Sequence, residues 1–201
     1  MRVAVIDYGA GNVPSVERAL QKLGADSIRA ASPARIAEAG AIILPGVGHY
    51  AALIRALDEH GLRSPLLDAL SRGVPFLGIC LGLQSLYQSS EEAVDLAGLG
   101  IFRGCVRSLP RNVKLPHMGW NRLRFAQSSP LLQGLTEADY FYFAHTFAAA
   151  AAGSEVVATC EHGAAFAAAI QKDSLFAVQF HPEKSGQAGA LLLRNFLEFA
   201  A

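Results

Sequence analysis

Cysteine is scarce in this sequence: three residues in 201, at positions 80, 105 and 160. The number is odd and none stands in C-x-x-C spacing, which argues against a disulfide framework and against a thiolate zinc site. If one of them matters, it matters as a thiol. An excess of one charge is also lacking, since seventeen Lys and Arg face seventeen Asp and Glu and the formal net charge is zero. With no Lys/Arg run to track phosphates, nucleic acid is not an expected partner. Long hydrophobic runs are missing as well. The opening MRVAVIDYG is cut by Asp7, too early for a signal-peptide core or a membrane span, so a cytoplasmic protein with no membrane association is expected.

What is present is a packed core. Hydrophobic residues make up 52% and charged ones 17%, which excludes disorder, and this length suits a single domain over residues 1–201 that buries roughly 70% of its unfolded surface. The first half alternates short apolar runs with helical patterns: RVAVID, a helix from about Asn12 to Leu23, SIRAA, AIILP, then YAALIRALDEH. This is the rhythm of a parallel sheet covered by helices. VPFLGI reads as a further buried strand and LGLQSLYQ as the helix after it. Beyond residue 100 the strands CVRSL, WNRLRF, YFYFAHTF, EVVATCEH, AFAAAIQ and LFAVQF follow one another without helices, before a last helix, QAGALLLRNFLEFA. An α/β fold with a mixed sheet is expected, with a hairpin turn at Lys172 and Asp173 and a surface loop at AAAAAG, 148 to 153.

GICLG, residues 78 to 82, has the form G-x-nucleophile-x-G, in which flanking glycines permit a tight turn between strand and helix. Cys80 stands at its tip, where the first N–H groups and the positive dipole end of the next helix favour the thiolate. The Leu81 N–H would point at a developing oxyanion. A buried structural cysteine would suit the same letters, so a base is needed. His181 follows the strand LFAVQF and opens HPEKSG; Glu183, two residues on, faces the same side in extended chain and can orient the imidazole. In LPGVGHY, residues 44 to 50, Gly46 and Gly48 would free the Val47 amide as a second oxyanion donor. DYGAGN follows a strand as a dinucleotide fingerprint would, but Pro14 replaces the third glycine and SIRAAS has no acidic residue for a ribose. No cofactor and no metal is therefore expected.

With GICLGLQ, HPEKSG and PGVGHY together, the chain resembles the class I, triad-type glutamine amidotransferases. DYGAGNVPSV, KLPHMGWN, YFAHTF and VQFHPEKS narrow the likeness to the glutaminase subunits of imidazole glycerol phosphate synthases, along the whole chain. The resemblance implies a three-layer, flavodoxin-like sandwich. It implies Cys80 as nucleophile, His181 as base and acid, Glu183 as orienter, and Val47 and Leu81 as oxyanion donors. Gln84 and the backbone at His145, Thr146 and Phe147 would hold the amino-acid end of glutamine, the substrate. The implied partner is a (βα)₈-barrel cyclase on another polypeptide that uses the ammonia in histidine biosynthesis, with Asn12, His117, Met118, Trp120, Tyr142 and Lys184 at the interface. The glutaminase of another synthase, such as anthranilate synthase, or a non-catalytic protein on this fold, are the alternatives; PHMGWN argues against the former and the intact triad letters against the latter.

Overall fold

A computed structural model of the chain describes residues 2–201. The apolar runs of the first half become strands β1 (Val3–Ile6), β2 (Ser27–Ala30), β3 (Ala41–Gly46) and β4 (Phe76–Cys80). Between them lie helices α1 (Val13–Lys22), α2 (Pro33–Ala37), α3 (Tyr50–Glu59) and α4 (Arg63–Ser71). Pro14 in the first turn of α1 costs nothing, because no intrahelical acceptor awaits its missing N–H. Helix α4 is not anticipated from the sequence: Pro65 disguises it, yet it too falls in a first turn. One turn of helix, α5 (Leu81–Gln84), then leads into β5 (Tyr87–Ser90).

The expected helix over LGLQSLYQ is thus corrected to a single turn. Leu83, Leu86 and Tyr87 are all buried, so no solvent face imposes a helical period, and Tyr87 pairs instead with Phe102 of β6 (Phe102–Ser108). The second half continues with β7 (His117–Arg122), β8 (Arg124–Phe125), β9 (Tyr140–His145), β10 (Phe147–Ala148), β11 (Val156–Glu161), β12 (Ala165–Lys172) and β13 (Leu175–Val178), and closes on α6 (Gly186–Ala200).

Eight strands form one sheet in the order β2-β1-β3-β4-β13-β12-β11-β8. Its first five are parallel and the rest antiparallel, the mixed sheet expected. Strands β1, β3 and β4 are buried along their whole length, as parallel strands covered on both faces must be. Val3, Val5, Ile43, Leu77 and Ile79 meet Val16 and Leu20 of α1 and Leu192, Leu193 and Phe196 of α6. Ala4, Ile6, Ile42 and Leu44 face the other way, onto Leu53, Ile54 and Leu57 of α3 and Leu66 of α4. Two small sheets, β10-β6-β5 and β7-β9, flank the large one.

Two local expectations shift. The β12–β13 hairpin turns on Asp173 and Ser174, not on Lys172, which is the last paired residue; Asp173 takes φ of 52°, a value an Asp tolerates. The alanine run is only in part a loop, for Ala148 pairs with Arg107 and the Ala149 carbonyl accepts the Ala167 N–H at 3.0 Å. These main-chain bonds to two sheets hold the run in place, and only 151–153 turn away. No described helix is long and apolar enough to cross a membrane.

Candidate active site

The parallel strands end together on one rim, and the residues just past their carboxyl ends build the site. Tyr8 follows β1, Val47 follows β3, Cys80 ends β4, and Gln179 and His181 follow β13. At the elbow Cys80 itself, not its glycines, bends the chain, with φ of 54° and ψ of −105°. The glycines serve close approach. A Cβ on Gly82 would lie 2.1 Å from the Leu44 carbonyl oxygen and one on Gly78 would lie 2.8 Å from the Gly82 carbonyl carbon. Gly46 is likewise extended and pressed under Leu81, and only Gly48, at φ +91°, uses the freedom expected of both.

Cys80 is 4% exposed and lines the floor of a cleft of about 320 Å³ shared with Val47, Gln84, Thr146, Phe147 and His181. The His181 Nδ1 lies 2.9 Å from Glu183 Oε1, both side chains being almost wholly buried, and its other nitrogen is left for the sulfur. Burial alone would push the imidazole down, but hydrogen bonds to Cys80 and Glu183 outweigh it and raise the group to about 9. Asn12, expected at a partner surface, donates through Nδ2 to Glu183 Oε1 at 3.4 Å. The histidine is therefore held from behind by a carboxylate that is itself held.

Leu81 follows Cys80 directly and opens α5, so its N–H has no intrahelical acceptor. The Tyr8 phenol beside Val47 is pushed up by burial, and its oxygen has no hydrogen-bond partner among the described residues. Gln84, 2% exposed, donates through Nε2 to the Phe147 carbonyl at 2.8 Å and to Gln179 Oε1 at 3.1 Å. Its own Oε1 has no hydrogen-bond partner among the described residues. Glu92, to which no sequence motif points, is the only acidic side chain lining the cleft among the described residues and is steadied by the Tyr50 N–H at 2.8 Å. Its position beyond a short strand leaves no motif by which to find it.

The residue 4–199 stretch matches the family model "Glutamine amidotransferase class-I". The chain belongs to this family. Among curated relatives, "Imidazole glycerol phosphate synthase subunit HisH" of Methanothermobacter thermautotrophicus is 45% identical over 196 residues, 98% of each chain. The protein of the same name from Aquifex aeolicus is 44% identical over 198 residues, covering 98% of this chain and 96% of the relative. Among solved structures, "Crystal structure of glutamine amidotransferase" superimposes with TM-score 0.78 at 20% identity, over 98% of both chains. "Structure of PurLQS from Thermotoga maritima" gives 0.77 at 19%, covering 100% of this chain and 99% of that one. At such identities the likeness is one of fold, the class-I glutamine amidotransferase fold expected.

In this amidotransferase the face expected to dock divides by strand alternation. On β7, Met118 and Trp120 point outward, 65% and 56% exposed. Trp120 sets its ring edge-on to that of Tyr142, over which the Lys184 ammonium lies at 5.7 Å. His117 is corrected: it points inward, stacks between His162 and Phe143, and bonds through Nδ1 to His145 Nε2 at 3.1 Å. Residues 117 and 118 cannot share a face in a strand. The His145 side chain is likewise buried, with Nδ1 donating to the Phe147 carbonyl at 2.9 Å, so it holds the cleft wall from within.

Proposed function

We propose that the chain, acting as one domain, is the glutaminase component of an imidazole glycerol phosphate synthase and hydrolyses glutamine through Cys80, His181 and Glu183. The observation that carries this reading is the buried line from Glu183 Oε1 through His181 to the Cys80 sulfur at the floor of the cleft. The sulfur attacks the carboxamide carbon as a thiolate. The oxyanion forms beside the Leu81 N–H, with the Val47 N–H as second donor once its peptide turns inward about Gly48. His181, protonated at neutral pH, gives its proton to the departing nitrogen, and ammonia leaves a γ-glutamyl thioester. The imidazole, now neutral, takes a proton from water, and the hydroxide displaces the thiolate to give glutamate.

The cleft suits the other end of glutamine. The Glu92 carboxylate and the unpartnered Gln84 Oε1 are acceptors for an α-ammonium, while the segment at His145, Thr146 and Phe147 frames the α-carboxylate. Ammonia released into open water would be protonated and lost. We therefore place the acceptor on a separate cytoplasmic polypeptide, the barrel cyclase, which would form imidazole glycerol phosphate and aminoimidazole carboxamide ribotide. Met118, Trp120, Tyr142 and Lys184 supply an aromatic, cationic face for it, with Asn12 beneath. The test is Cys80→Ala: glutamine hydrolysis should fall to background with far-ultraviolet dichroism and melting unchanged, whereas turnover near the wild-type rate would refute the assignment.

A further inference from the structure

Gln179 is wholly buried, yet the glutamine chemistry outlined above assigns it nothing. Its Nε2 lies 3.5 Å from the Cys80 sulfur. Which end of the amide faces the sulfur follows from its neighbours. The Phe147 carbonyl cannot donate, so the group of Gln84 that meets it must be the NH₂. That NH₂ also meets Gln179 at 3.1 Å and needs an acceptor there, so the Gln179 oxygen faces Gln84 and its nitrogen faces the sulfur. The Phe147 carbonyl is pinned in turn by His145 Nδ1 at 2.9 Å, and the Gln179 main chain by a 2.9 Å bond from its N–H to Ala168. Both ends of the residue are fixed.

The sequence QFH explains the convergence. Gln179 and His181 lie two residues apart on a bend just past β13 and both reach the sulfur's side, while Phe180 between them turns away to pack on Phe141 and Phe143. The sulfur thus has the Gln179 amide at 3.5 Å and shares its cleft with the His181 imidazole, both from the end of one strand. Only the imidazole can exchange a proton; the amide donates a hydrogen bond and keeps its hydrogen.

We propose that Gln179 is a catalytic residue, whose side-chain amide holds the Cys80 thiolate by a hydrogen bond and aims it at the substrate carbon. This rests on the reading of Cys80 as nucleophile. A donor of this kind, itself wholly buried, favours the charged sulfur over the neutral thiol. Because Gln84 touches both the cleft and Gln179, a substrate that engages Gln84 also bears on the thiolate's partner.

The test is the pH dependence of Cys80 alkylation by iodoacetamide, in which the thiolate displaces iodide, followed by peptide mass spectrometry of the full chain. Gln179→Glu keeps an oxygen for Gln84 and replaces the donor at the sulfur by a negative charge. Its alkylation midpoint should move up by roughly one pH unit or more, with reaction near neutrality slowed about tenfold. Gln179→Met, uncharged and of similar size, should move it in the same direction by less, and decides the matter if the Glu variant does not fold. A residue that only fills space would leave the midpoint in place, so unchanged midpoints in folded variants overturn the proposal. Should wild-type Cys80 prove no more reactive than Cys160, the nucleophile assignment fails instead.

Discussion

Cys80 carries a backbone conformation that side-chain-bearing residues rarely hold, at a cost on the order of 1–3 kcal/mol. Its surroundings impose it: Gly78 and Gly82 let β4, α5 and the end of β3 close to distances that any Cβ would block. The histidines are equally constrained. Burial pushes His145 down to about 3 and His117 to about 4, both below an unfolded value near 6.5, so the unfolded chain binds more protons below that pH and acid favours it. His181, raised to about 9, acts in the opposite sense, with a contribution that is full below 6.5 and lost as pH rises through 9. Stability should therefore fall on acidification from pH 7 to 5, by up to about 1.4 kcal/mol per pH unit for each of His117 and His145. Urea midpoints across that range check it, and a flat profile would contradict it. That Cys80, His181 and Glu183 come together is legible in the letters because their motifs are local or flanked by glycine and proline. The burial of His117 is not, since nothing in PHMGW says which parity of the strand faces in.

Among the elements, β7 and β9 form the separate two-stranded sheet that lifts Trp120 and Met118 into solvent while burying His117 and Phe143. Large apolar side chains so exposed beside an aromatic and a cation suit a binding anchor. Trp120→Ala is expected to raise the dissociation constant for the proposed cyclase partner roughly 30-fold, the size of a hot-spot loss of about 2 kcal/mol, without altering the melting of the isolated chain. Calorimetric titration would read it, and an unchanged constant would count against this face. Periodicity finds the long elements, α1, α3, α6 and the buried strands, because each has a core face to satisfy. It fails at α5, where every side chain is buried and no amphipathic period survives, and at α4, where Pro65 looks like a break.

Across the whole molecule, the site arises from topology: successive parallel strands deliver Tyr8, Val47, Cys80 and His181 to one rim although they are distant in sequence. The β-α alternation announced that rim, but not which cysteine it would expose to chemistry. The three thiols differ physically. Cys160 lies within β11, pushed up to about 12 by burial and so inert near neutrality, and Cys105 lies half-buried on β6, its sulfur 3.4 Å from the Val106 carbonyl oxygen. Among the described residues only Cys80 shares a cleft of substrate size with an imidazole, that of His181. The most direct measurement is mass spectrometry of the chain after brief exposure to a glutamine-analogue electrophile at neutral pH. One adduct per chain, on Cys80 and protected by excess glutamine, is the predicted result; an unmodified Cys80, or equal labelling of Cys105 and Cys160, would contradict the account.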